Sequence, residues 1–183
     1  MSAQSKQQTA CFSGHRPEKF PFPLREGEPR FAELRLSIKS AVERAVSTGF
    51  TTFLCGMARG FDLLCAEAVL DVKEKSGAPL SLQAAIPFLS QADRWPAPDK
   101  ARYDRLLSAC SVVLLPPQGG GAYYRGCYYD RNRLMVQRSS LLICYHDGAP
   151  GGTAYTLRLA RKEGLPIWNL AAEAPRQLRF DEE

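Results

Sequence analysis

The chain has 183 residues, of which 45% are hydrophobic and 23% charged. These are the proportions of one soluble folded domain with enough chain for a real core. No apolar run approaches the ~20 residues of a membrane helix, and the opening MSAQSKQQTA lacks a signal-peptide stretch; a cytoplasmic chain with no membrane partner is therefore expected. The net charge of +5 favours anionic partners and is too small to identify a nucleic-acid binder.

In chain order, residues 1–8 read as a disordered N-terminal segment and TACFS (9–13) as a first strand. A proline-rich loop runs from His15 to Pro29. Phe31, Leu34, Ile38, Val42, Ala45 and Val46 then recur at helical spacing, and Gly49 ends that helix. FTTFLC (50–55) is the second strand, Gly60 to Lys75 a helix, and LSLQAAI (80–86) a third strand stopped by Pro87. Tyr103, Leu106, Leu107 and Cys110 mark one face of a further helix, and SVVLL (111–115) is the fourth strand. A glycine triplet loop leads to a helix over 128–139. LLICY (141–145) is the fifth strand, 153–163 a helix and PIWNL (166–170) the sixth strand, with 172–183 as a tail.

Strands alternating with helices predict an α/β fold over 9–171. It is a single Rossmann-like, doubly wound domain: a mostly parallel sheet of about six strands with helices on both faces. Right-handed crossovers put all strand C-terminal ends on one edge, and ligands bind beyond that edge where strand order reverses. The candidate site residues are therefore those that follow the strands.

After the first strand, Gly14 permits close backbone approach, while His15 and Arg16 offer a titratable ring and an anion contact. A tight turn with two exposed polar residues explains them equally well. After the second strand, Gly56, Arg59 and Gly60 open a helix whose free N–H groups suit an anion. No Walker ending follows. Asp62 either caps that helix or holds a ribose hydroxyl. Gln91 and Trp95 after the third strand can hold a base, although a tryptophan beside prolines more often packs. Four arginines and one acid lie between Arg125 and Arg138. Arg131, Asn132 and Arg133 lie on the helix before the fifth strand, where Arg131 and Asn132 cannot both face the core. After the fifth strand, Gly151, Gly152 and Thr153 precede a helix and form the strongest local signal, a phosphate cradle of N–H groups plus a hydroxyl.

The six cysteines form no C-x-x-C pair, so no metal ligand set is expected. They read as reduced, buried small hydrophobes, with Cys127 in a polar stretch as the one to test for reactivity.

The stretches CFSGHRPEKFPF, FLCGMARGFDLLCAE, IPFLSQADRWP, GCYYDRNRLMVQRSSLLICYHDG and PGGTAYTLRLARKEGLPI occur in this order from Cys11 to Leu170. In them the chain resembles the YpsA-like (DUF1273) branch of the SLOG superfamily. The resemblance implies a Rossmann-like fold whose loops form a pocket for a nucleotide or nucleotide-derived ligand. Three positions depart from the family: Gln137 stands where an acid is usual, Ala92 where a glutamate follows Gln91, and Tyr129-Asp130 where an amide precedes R-N-R. Related LOG-type phosphoribohydrolases pair a helical arginine, matched by Arg131, with P-G-G-x-G-T-x-x-E. The catalytic glutamate of that motif is replaced here by Thr156 or Arg158, which leaves catalysis open and no catalytic residue assigned. The related DprA proteins use the fold on single-stranded DNA, and Tyr123, Tyr124, Tyr128 and Tyr129 among arginines fit such stacking loosely.

The first expectation is a domain that binds or senses a phosphate-bearing nucleotide derivative of the ADP-ribose or NAD class. That ligand is the one cofactor candidate. A hydrolase of nucleotide N-glycosidic bonds and a single-stranded nucleic-acid binder are the alternatives. Domains of this kind often pair as homo-oligomers, and no surface of the sequence marks such a contact.

Overall fold

The computed structural model describes residues 3–171. The expected tail at 172–183 lies outside them. The elements in order are α1 (Ala3–Gln7), β1 (Thr9–Ser13), α2 (Pro29–Ser47), β2 (Thr52–Cys55), α3 (Phe61–Ser76), β3 (Ser81–Ala85), α4 (Ala97–Ser108), β4 (Val112–Leu114), α5 (Cys127–Gln137), β5 (Leu141–Cys144), α6 (Gly152–Lys162) and β6 (Ile167–Asn169). A 3₁₀ turn at Pro17–Lys19 interrupts the loop after β1. Part of the segment expected to be disordered is helical instead. α1 is tied down where Thr9 Oγ1 donates to Ser5 O at 2.7 Å and Ser140 Oγ to Gln7 O at 2.8 Å.

All six strands are parallel, in the order β4-β3-β2-β1-β5-β6. The period-2 pattern of the strands sorts the core into two layers. Ala10, Phe12, Phe53, Leu82 and Ile143 face one way and pack against α2, α3 and α4. Cys11, Leu54, Leu142 and Cys144 face the other way, against Met135 and Val136 of α5 and Leu157 and Ala160 of α6. Helices thus cover both faces, as a doubly wound sheet requires. Among the described residues no helix is long and apolar enough to cross a membrane.

The helices begin and end where local chemistry directs. Pro29 opens α2 behind Glu28, whose carboxylate accepts from Arg30 N at 3.4 Å. Gly77 closes α3 in the left-handed region, with φ 65°.

The chain steps outward from β1 through β2 and β3 to β4, then returns under the sheet through α5 to β5 on the other side of β1. Strand order therefore reverses between β1 and β5, and the loops after these two strands diverge to leave a crevice at their C-terminal ends.

All six cysteines are free thiols. Cys127, the cysteine of the polar stretch and the one to test for reactivity, is fully buried at the start of α5. Burial also pushes the Cys11 and Cys144 thiols up to about 12, which leaves them unreactive.

Candidate functional site

The crevice holds a cavity of about 290 Å³, walled by the loop after β1, the start of α3, the first turns of α5 and the loop that enters α6. Of the residues expected at the site, Gly14, His15, Arg16, Asp62, Arg131, Asn132, Gly151, Gly152 and Thr153 line it. Gly56, Arg59, Gly60, Gln91, Trp95 and Arg133 are not part of its wall.

Each residue of the second group is occupied elsewhere. Arg59 Nε donates to Asp99 at 2.7 Å and its Nη1 to Glu18 at 2.9 Å. Arg133 is exposed and bonds Asp130 at 2.9 Å within its own helix. Gln91 is buried and donates to Met57 O at 3.2 Å, holding a residue whose φ of 54° needs support. Trp95 packs edge-on against Tyr103, ring centroids 5.2 Å apart. The two glycines act through space rather than on a ligand. A Cβ on Gly60 would lie 2.6 Å from His15 O, so this glycine lets the β1 and β2 loops touch. A Cβ on Gly56 would collide with the Arg131 guanidinium and lie 2.6 Å from Asp62 Oδ2.

Arg131 and Asp62 form the floor of the cavity. Both are buried, 6% and 5% exposed, which is exceptional for charged side chains. Arg131 Nη1 donates to the carbonyls of Gly56 and Ala85. The same nitrogen stands 3.8 Å from Asp62 Oδ2, an electrostatic contact longer than a hydrogen bond. Arg131 Nε is buried and has no hydrogen-bond partner among the described residues. Asp62 Oδ2 accepts from Ala58 N at 3.3 Å. Burial pushes the Asp62 carboxyl up to about 6, against the opposing pull of Arg131. Burial likewise lowers Arg131 from its ordinary value, against the opposing pull of Asp62.

The rim carries further positive charge. Arg16 stacks over the Tyr128 ring at 5.5 Å from its centroid, a favourable cation–π geometry. Lys19 Nζ reaches toward Gly151, 3.4 Å from where a Cβ there would stand. Among the described residues neither Arg16 nor Lys19 has a salt-bridge partner. The wall thus offers three cations and one acid.

Opposite these lies the N-terminus of α6. Its first intrahelical bond among the described contacts runs from Tyr155 N to Gly151 O, which leaves the N–H groups of Gly152 and Thr153 turned toward the crevice. A Cβ on Gly152 would meet nothing closer than Asn132 Nδ2 at 4.0 Å. Thr153 lines the cavity, whereas the Thr156 hydroxyl donates back to Gly152 O at 2.9 Å. Gly14 lets β1 run on against α3, since a Cβ there would collide with the Phe61 ring.

His15 is buried between Phe20 and Tyr145, its Nε2 2.8 Å from Asp147 Oδ1. The Ala149 N–H, and then the His15 bond, hold the Asp147 carboxyl below its ordinary value. Lys19 and Tyr129 also line the cavity and were not singled out by loop position. Lys19 lies six residues beyond β1 in the proline-rich loop, and only the 3₁₀ turn brings it back. Both tyrosines of the wall occupy the first turn of α5, and the i, i+3 spacing of Tyr128 and Arg131 is the signal the sequence offers for the first of them.

The profile of the YspA SLOG family matches residues 10–168. A UPF0398 protein of Halalkalibacterium halodurans is 30% identical over 133 residues, which are 68% of this chain and 68% of that one. A UPF0398 protein of Oceanobacillus iheyensis is 24% identical over 167 residues, 88% of this chain and 87% of that one. Among solved structures, DNA processing protein A of Helicobacter pylori superposes with a TM-score of 0.63 at 17% identity, over 96% of this chain and 68% of that one. The same protein of Streptococcus pneumoniae gives 0.59 at 18% identity, over 88% of this chain and half of that one. These two likenesses are of fold.

The raised Asp62 value fixes a pH dependence. The folded chain holds the Asp62 proton more tightly than the unfolded chain, where the value is 3.8. Stability from this group is therefore complete below about 4 and is lost as pH rises through about 6. Urea unfolding from pH 4 to pH 7 should show this slope in the wild type and a flatter one in Asp62→Asn. Equal slopes would contradict a protonatable Asp62.

Proposed function

The chain belongs to the YspA SLOG family, and we propose that its switch-point cavity binds a phosphate-bearing nucleotide derivative. The observation that carries this reading is Arg131: a buried guanidinium in the cavity floor whose Nε has no partner. A buried donor without an acceptor costs about 1–3 kcal/mol, more when charged. An anion that accepts from it removes that cost on binding. Arg16 and Lys19 add charge from the rim, and the α6 N-terminus adds N–H groups and the positive end of a helix dipole.

Size narrows the ligand. At about 290 Å³ the cavity is at the small end of ordinary ligand pockets, roughly 300–1,000 Å³. It suits a phosphate with its sugar, leaving a base or second nucleoside to lie over Tyr128 and Tyr129 at the rim. ADP-ribose and NAD-like molecules have that shape. The Helicobacter pylori neighbour is described by its single-stranded DNA binding mode. For this chain a walled cavity favours a small ligand over a polymer, which needs an open groove.

Replacing Gly152 tests the reading without disturbing the core, because a side chain there enters open space. In calorimetric titrations with ADP-ribose, NAD, ADP and AMP, at least one should bind the wild type. Gly152→Val should bind it about tenfold more weakly or worse, a change of about 1.4 kcal/mol, with an unaltered melting temperature. Equal affinity in the variant, or no binding by any of the four, would contradict the assignment.

A second reading, hydrolysis of a nucleotide N-glycosidic bond, is favoured by one observation. Asp62 is the only carboxylate among the residues of the wall, and burial holds it near the titration range of a general acid. α6 contains no carboxylate; of the two residues that stand where the LOG-type glutamate would be, Thr156 is bonded back to Gly152 and Arg158 is exposed. On this reading, nucleoside monophosphates incubated with the wild type release free base, and Asp62→Asn abolishes the release while retaining ligand. Intact nucleotides after prolonged incubation would eliminate it.

A further inference from the structure

The chain contains two histidines, His15 and His146, and the fold brings both to one place. His15 follows β1 and His146 follows β5, and these strands are sheet neighbours. Asp147 completes the group: one ligand atom from each of the three residues lies within 4.8 Å of the other two. His15 Nε2 is 2.8 Å from Asp147 Oδ1, and the imidazole centroids are 6.2 Å apart.

A structural His–Asp hydrogen bond accounts for His15 and leaves His146 unexplained. His146 Nδ1 is buried and has no hydrogen-bond partner among the described residues. Its position is nevertheless held firmly, because Asn169 of β6 clamps its backbone. His146 N donates to Asn169 Oδ1 at 2.9 Å, and Asn169 Nδ2 donates to His146 O at 2.8 Å. Asp147 is also positioned from outside the group, since Ala149 N donates to its Oδ1 at 3.1 Å. The aromatic rings of Phe20 and Tyr145 both pack edge-on against the His15 ring. Two ligand groups with independent contacts, and a third residue fixed by its backbone with an unused ring nitrogen, are what a metal site looks like before the ion enters.

We propose that His15, His146 and Asp147 bind one divalent transition-metal ion of the zinc class at the β1–β5 margin of the cavity. Two imidazoles and a carboxylate are a donor set for such an ion, with a fourth position left for water or a ligand atom. Donors on tetrahedral zinc at ~2.0–2.1 Å stand about 3.4 Å from one another. Binding therefore draws the group together by rotation of the partly exposed His146 and the exposed Asp147, while His15 stays fixed. The ion displaces the proton shared by His15 and Asp147 and engages His146 Nδ1. Because His15 also lines the cavity, the open coordination position borders the space proposed for the nucleotide. No spacing pattern in the sequence signals the site, since His15 and Asp147 are 132 positions apart.

The proposal is tested on the full chain, tag-free, reduced and stripped with a chelator, by titration with zinc in competition with a chromophoric chelator and no nucleotide present. One ion per chain should bind. His146→Asn and Asp147→Asn should each weaken binding by about tenfold to a hundredfold or more, with far-ultraviolet circular dichroism unchanged. Cys110→Ser, which alters the one thiol that is not buried, should bind as the wild type does. Absence of binding to the wild type, or wild-type affinity in either the His146 or the Asp147 variant, would overturn it. Nucleotide affinity plays no part in the readout, so failure here leaves the preceding reading to its own test.

Discussion

A guanidinium removed from water must give its protons to something, and the architecture around the cavity answers that demand for Arg131. The side chain rises from α5 and donates to carbonyls at the ends of two strands on the other side of the sheet's centre, Gly56 after β2 and Ala85 at the end of β3. Asp62 at the start of α3 supplies the nearby negative charge. One side chain thus ties α5 to the loops of the opposite half of the fold. Burying such a pair is costly, and replacement by apolar residues often stabilises a protein. Its presence beneath a cavity, with one nitrogen left unsatisfied, points to binding as the return on that cost.

The same contact explains why glycines cluster here. Gly56 is required because the guanidinium occupies the space a Cβ would fill, and Gly14 because Phe61 does. Gly60 lets the β1 and β2 loops meet, where Phe61 N donates to His15 O at 3.1 Å. Gly152 has no such neighbour. Three of the four glycines thus shape the walls, and the fourth leaves room for a ligand beside the free N–H groups of α6. Strand order supplies the rest. Because the chain reverses direction between β1 and β5, cations from the β1 loop face the helix dipole of α6 across a gap that no crossover covers.

The fold was legible in the sequence because its signals are local. Short apolar runs alternate with amphipathic segments, and every expected strand overlaps an observed one: the first coincides with β1, and the other five are shorter than expected by one or two residues at one or both ends. The loops after β1 and β5 were legible as well, since Gly14–Arg16 and Gly151–Thr153 follow strands and the second run opens a helix. Most of the expected residues that lie outside the wall are held by contacts between distant segments. Arg59 is paired with Glu18 and Asp99, whereas Arg133 is paired with Asp130 in its own helix. Gln91 and Trp95 belong to the packing behind the β2 loop. Cys127 sits in a polar stretch of sequence and is fully buried in space. Lys19 enters the wall only through a 3₁₀ turn that proline-rich sequence does not advertise. The orphaned Arg131 Nε and the His15–His146–Asp147 group are properties of three-dimensional juxtaposition alone.

The central claim is that the β1–β5 crevice, rather than another surface, receives a nucleotide derivative. The most direct measurement is amide chemical-shift mapping of the nitrogen-15-labelled protein during titration with ADP-ribose. The account predicts the largest changes at Gly151, Gly152 and Thr153, with a second group at Gly14 to Arg16. Changes confined to the exposed Tyr123 loop or to the outer faces of α2 and α3 would contradict it.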